Sequence, residues 1–174
     1  MTSQLIAKGH RRIAYAPVMD FNLSHYYLRG YHQALELAGI SPDVNFILEI
    51  NNTSSSGATR DEAISGLKDM LTARNRPDAL ILTGGIQYFD FFDLLDELGI
   101  STPDDLEAVI MIDSQNGIPP GVPRKDQVHE LAQPFMALGR EAVKALIKVA
   151  DGRAGRQCIE FPFEFKLKNF NHQS

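Results

Sequence analysis

The residue whose type and position point most directly to chemistry is Asp113, which closes the apolar run Ala108 to Ile112. A carboxylate at the carboxyl end of a buried strand can accept hydrogen bonds from hydroxyl or amine groups of a small molecule. It could equally cap a loop by accepting from nearby backbone amides. Asp20, Asn22, Ser24 and His25 follow another apolar run, Ile13 to Val18, and would line the same crevice, or else stand as solvated loop residues. Gly84 and Gly85 follow a third run, Ala79 to Leu82. They read either as a backbone nest for an anion or as a turn with positive φ. No constellation for catalysis or metal binding accompanies these residues. The five histidines are scattered without HExxH spacing, and Cys158 is the only cysteine, so no Cys/His zinc cluster can form. No GxSxG, GxGxxG or Walker sequence occurs, so the expectation is a binding protein with no cofactor and no metal.

The elements that must position these residues are legible in the hydrophobic pattern. Four short apolar runs, Ile13 to Val18, Phe46 to Ile50, Ala79 to Leu82 and Ala108 to Ile112, read as buried strands. Amphipathic stretches separate them. Leu28, Tyr31, Leu35 and Ala38 recur at helical spacing and stop at Gly39. Ala63, Ile64, Leu67, Met70 and Leu71 mark a second helix, and Phe91, Leu94, Leu95 and Leu98 a third that stops at Gly99. Strands alternating with helices predict βαβ crossovers, so the expected fold is α/β, a Rossmann-like or flavodoxin-like parallel sheet with helices on both faces. The stretch Ile118 to Pro123 is too rich in proline for a helix or a central strand. Further on, Phe135, Leu138, Ala142, Leu146 and Val149 form the stripe of another helix. Ile159, Phe161, Phe163, Phe165 and Leu167 then alternate with polar residues and Pro162, as in an edge strand. The run Tyr88, Phe89, Phe91 and Phe92 cannot all face one core, so part of it is expected at an interface.

Composition narrows the class. A chain of 174 residues with 44% hydrophobic and 22% charged residues can bury a core of its own. Its net charge of −5 gives no basic face for a phosphate backbone, and His10-Arg11-Arg12 alone reads as a solvated helix end. No apolar run is long enough to span a bilayer and no signal-peptide pattern opens the chain, so a reducing cytoplasm is expected.

Several strings, in order, resemble the LacI/GalR family of bacterial transcription regulators. Leu5-Ile6-Ala7-Lys8-Gly9-His10-Arg11-Arg12-Ile13-Ala14 is similar to the segment that enters the second lobe of that family's effector-binding core. Arg29-Gly30-Tyr31 through Ala38-Gly39-Ile40 resembles its next helix, Pro77-Asp78-Ala79 a following strand, and Leu98-Gly99-Ile100 through Leu106 the loop after it. Val109 to Asp113 takes the place of a strand ending in aspartate, and Gln133-Pro134, Leu138-Gly139 and Ala142 resemble a later helix.

The resemblance implies an effector-sensing, dimerising core of the type I periplasmic-binding-protein architecture. It would bind a small, sugar-like effector, form a homodimer or higher oligomer, and act on DNA only through a headpiece absent from this chain, with no catalysis and no membrane. It further implies that residues 1–130 form the second lobe, that 131–155 carry a helix crossing to the first lobe, and that 156–174 return as a strand and tail. That helix would then lack its usual cover and is expected to dock on another copy or fold back on its own sheet. Tyr27 stands where the family usually has an arginine clamp, Gly84-Gly85 where it has Asn-Asp, and no aromatic lies between Asn51 and Asp61, so of the usual contacts Asp113 remains. A periplasmic solute-binding fragment shares the fold. A flavodoxin-like enzyme or phosphoacceptor is disfavoured, because its third strand should end in a carboxylate and here ends Thr83-Gly84-Gly85.

Overall fold

The computed structural model describes residues 1–17, 24–48, 60–83, 88–112, 121–122, 124–132, 135–153, 155, 165 and 167–170. Five α-helices are described, α1 (Thr2–Ala7), α2 (Ser24–Leu37), α3 (Arg60–Thr72), α4 (Tyr88–Leu98) and α5 (Phe135–Ala150). Four strands, β1 (Ile13–Pro17), β2 (Ala79–Thr83), β3 (Glu107–Ile112) and β4 (His129–Ala132), pair in that order and all run parallel. All five residues of β2 are buried, as expected of a strand covered on both faces.

The pleat sorts side chains into two layers. Ala14, Ala16, Leu80, Leu82, Ala108 and Ile110 face α3 and α4, where Leu67, Leu71, Phe91 and Leu95 cover them. Ile13, Tyr15, Ala79, Ile81 and Val109 face the other way, under Leu5 of α1 and Tyr31 and Leu35 of α2. A sheet with helices on both faces is therefore what the alternation of apolar runs and helical stripes dictates. Gly39 and Gly99 do end α2 and α4. Both adopt positive φ (67° and 64°), and the following amides of Ile40 and Ile100 bond back to Leu35 and Leu95, closing the helix ends in Schellman fashion.

Three expectations change. Phe46 to Ile50 is not a strand over its described part. Val44–Phe46 is a 3-10 turn, begun by the Asp43 side chain accepting from the Asn45 amide, and only Ile47 bridges to Tyr15, with the Leu48 amide donating to the Tyr15 carbonyl. Asp43 offers the backbone a local partner that competes with a full ladder. The fourth strand is instead β4, which the sequence pattern did not reveal because its buried positions include a histidine. Ala38 is exposed rather than part of the α2 stripe.

Helix α5 forms as expected, but Met136, Leu138, Val143, Leu146, Ile147 and Val149 on it are exposed, so it does not fold back onto the described sheet. Of the aromatic run, Phe91 and Phe92 are buried while Phe89 is 54% exposed, which leaves Phe89 as the described candidate for an interface. The strand expected over Ile159 to Leu167 lies mostly outside the described residues. Phe165 and Leu167 are described, and both pack on the α1–α2 layer.

Candidate functional site

The chain leaves β1 through α2 to reach Ile47 on one side of β1, then returns through α3 to β2 on the other side. That reversal is a topological switch point, and open α/β sheets bind ligands beside it, outside the carboxyl ends of the strands. In register at that edge are Pro17, Thr83 and Met111.

Side chains from three elements converge toward this edge on the α1–α2 face. Helix α1 runs back along the sheet, since Lys8 at its end touches Glu107 at the start of β3, so its first turn lies toward the carboxyl edge. Helix α2 descends from the same edge. Between them opens a cavity of about 230 Å³ lined by Met1 to Ser3, Tyr15, Tyr26, Tyr27, Gly30, Tyr31, Ala34 and Ile81. Tyr27, Gly30, Tyr31 and Ala34 fall at helical spacing, which presents them on one face of α2. Tyr15 projects from β1 beneath them.

Four tyrosines give the cavity apolar walls with polar tips. Tyr15 and Tyr31 stack with ring centroids 5.6 Å apart. The Tyr31 hydroxyl donates to the Ile13 carbonyl at 2.8 Å, and the Thr83 hydroxyl donates to the Tyr15 hydroxyl oxygen at 3.4 Å. Burial pushes the Tyr31 phenol up to about 12, helped by the Asp43 charge. Burial likewise raises Tyr15, against the hydrogen bond from Thr83 and with the proximity of Tyr27. Both therefore stay neutral hydroxyls near pH 7. At the mouth, Tyr26 is 55% exposed, with His25 packed on its ring at 4.0 Å and the Arg29 guanidinium 5.7 Å from its centroid. None of the described lining side chains is charged. The arrangement can hold a small neutral molecule by ring contact and hydroxyl hydrogen bonds, and its described lining residues include no nucleophile–base pair. Among the described residues no group of three His, Cys, Asp or Glu could hold a metal ion.

Of the residues expected from sequence, the side chains of Tyr27 and His25 are described: Tyr27 lines the cavity and His25 packs on Tyr26 at its mouth. Ser24 is described as the first residue of α2. Asp20, Asn22, Gly84, Gly85 and Asp113 lie outside the described residues. Tyr15, Tyr26 and Tyr31 were not among the expected site residues. The available signal was their spacing: Tyr31 falls one turn after Tyr27 on α2, and Tyr15 alternates onto the face of β1 that α2 covers.

Comparison with known proteins adds four findings. Residues 2–166 match the model of the periplasmic binding protein-like domain family. The HTH-type transcriptional repressor PurR of Edwardsiella ictaluri (strain 93-146) is 29% identical over 158 residues, covering 90% of this chain and 43% of that protein. Among solved structures, a regulatory protein of the LacI family from Chloroflexus aggregans superposes with a TM-score of 0.68 at 21% identity, covering 89% of this chain and 53% of that one. The transcriptional regulator CelR in complex with cellobiose gives a TM-score of 0.65 at 25% identity, covering 88% of this chain and 44% of that one. The chain thus spans less than half the length of the curated relatives it matches.

Proposed function

Since this chain belongs to the periplasmic binding protein-like domain family and fits a LacI-type effector-binding domain, we propose that it is the effector-sensing and dimerising part of a cytoplasmic transcription regulator. The observation that carries this reading is the tyrosine-walled cavity, with no charged side chain among its described lining residues, beside the switch point of a parallel sheet. Neutral phenols and a threonine hydroxyl recognise hydroxyl-bearing rings, so the effector is a neutral sugar-like compound, in keeping with the cellobiose named for one structural neighbour. A volume of about 230 Å³ lies under the roughly 300–1,000 Å³ usual for ligand pockets, so this part of the site holds one small ring. Asp113, directly after the last residue of β3, would accept hydrogen bonds from the same ligand, with Asp20, Asn22 and Ser24 beside it. Gly84 and Gly85 would let the backbone approach it.

Residues 1–130 would then serve as the second lobe, 131–155 as the helix that crosses out of it, and 156–174 as its returning strand and tail. DNA is contacted through a separate headpiece, because a net charge of −5 gives this domain no phosphate-binding surface of its own. No helix of the described residues is long and apolar enough to cross a membrane. The exposed apolar residues of α5 are covered by a second copy, since each is worth about 1.5–3 kcal/mol when buried. Light scattering should give a dimer for the wild type and a monomer for Leu146→Asp; a wild-type monomer ends that assignment.

An effector shifts such a regulator only through different affinities for two states. In fluorescence anisotropy, the whole regulator should change its affinity for operator DNA when one neutral sugar or nucleoside of a panel is added. Identical DNA affinity with every compound would sink the sensing role.

A further inference from the structure

At the opposite, amino-terminal edge of the sheet a fully buried histidine joins three parts of the chain. His129 of β4 is 0% exposed. Its Nδ1 accepts the backbone amide of Lys168 at 2.9 Å, so Nε2 carries the ring hydrogen and donates to Glu107. Glu107 also receives Lys8 from α1 and His10 Nε2 at 2.7 Å, and His10 Nδ1 lies 3.2 Å from Asp78. From the C-terminal side, Phe170 packs on the His129 ring with centroids 4.5 Å apart, and Lys168 Nζ pairs with Glu130 at 2.9 Å. The groups facing His129 are therefore Lys8 from α1, His10 and Asp78 from the segments entering β1 and β2, Glu107 from β3, Glu130 from β4 and Lys168 from the C-terminal strip. One residue earlier, Gln4 holds that strip independently. Its amide donates to the Phe165 carbonyl and its carbonyl accepts the Leu167 amide at 3.1 Å.

We propose that His129 is a proton-operated latch: neutral, it accepts the Lys168 amide and holds Lys168 to Phe170 against the sheet, and protonated at Nδ1 it loses that acceptor and lets these residues lift while Gln4 keeps Phe165 and Leu167 in place. The reason is steric and chemical at once. An imidazolium has no lone pair, so two N–H groups would point at each other inside a site with no room for water between them. Burial lowers the ring's affinity for its proton, partly countered by the hydrogen bond and charge of Glu107 and assisted by Lys8 and Lys168. The net direction is downward from 6.5, so the neutral ring and the docked strip are favoured above that value. Docking weakens as pH falls below it, with up to about tenfold more of the released form for each further pH unit while one proton is taken up.

The chain has no tryptophan, so Phe170→Trp places a single reporter on the latch. Lowering the pH between about 8 and 5 should shift its emission to the red with far-UV circular dichroism unchanged. His129→Gln, whose amide can accept and donate but not titrate, should abolish the shift, and His10→Gln should leave it in place. A shift that is absent, that survives His129→Gln, that disappears in His10→Gln or that accompanies loss of the whole fold overturns the latch. Nitrogen NMR of wild-type His129 checks the same claim without substitution. It should show the Nε2–H tautomer at the upper pH, and an Nδ1–H or doubly protonated ring there overturns the proposal.

Discussion

The two edges of the sheet are built from opposite chemistry. The amino-terminal edge concentrates charge, with Lys8, His10, Asp78, Glu107 and Lys168 around His129. Among the described residues, the carboxyl edge offers neutral hydroxyls, Tyr15 against Thr83, and a cavity lined by no charged side chain. A buried charge is tolerated only where its partners are fixed, so the first edge is locked by mutual need. Neutral phenols can exchange one partner for another at little cost, which suits the ligand-binding role proposed for that edge. On the proposed reading, the difference separates the residues that hold the fold from those that would read a ligand.

Breaking the charged edge should produce the largest effect. Glu107→Ala leaves a buried histidine and a lysine without their shared carboxylate and should lower unfolding free energy by about 3–5 kcal/mol in urea melts. Thr83→Ala at the other edge should cost under about 1 kcal/mol; equal losses would erase the contrast. The same carboxylate sets an acid dependence. Burial alone would raise Glu107, but hydrogen bonds from Lys8, His10 and His129 outweigh it and hold it below 4.5. Its stabilisation is present above that value and fades as pH falls through the depressed one, so Glu107→Gln should flatten the acid limb of the stability curve.

Smaller effects sharpen the comparison. Gly9 turns the chain between Lys8 and His10 at φ 106°, with open space where a Cβ would project, so Gly9→Ala carries backbone strain alone, about 1–2 kcal/mol. Tyr31→Phe removes the donor to the Ile13 carbonyl and should cost about 1 kcal/mol. Its phenol contributes stability below pH 10 that is lost as pH rises through about 12, so the variant should also resist alkaline unfolding better than its neutral-pH loss suggests. Tyr26→Ala, at the cavity mouth, should change stability by no more than about 0.5 kcal/mol while weakening binding of a neutral ring, read by calorimetry.

Much of the fold was legible because parallel strands and their covering helices announce themselves by period. The stripes of α3 and α4 and the stops at Gly39 and Gly99 are direct readings of side-chain spacing. β4 escaped because His129 and Glu130 break an apolar run, and the burial of His129 makes sense only once Glu107 and Lys168 are brought from distant parts of the chain. Of the candidate cavity, sequence reading named Tyr27, which lines it. It could not show that Tyr15 and Tyr31 meet across the interface of a strand and a helix, because that pairing depends on how α2 descends on the sheet.

The most direct test is amide chemical-shift mapping of the wild-type chain titrated with a panel of neutral sugars and nucleosides. The account predicts that a binding compound moves the signals of Tyr15, Tyr26, Tyr27 and Thr83 and leaves Lys8, Glu107 and His129 unchanged. Shifts confined to the charged edge, or binding only by anionic members added to the panel, would contradict it.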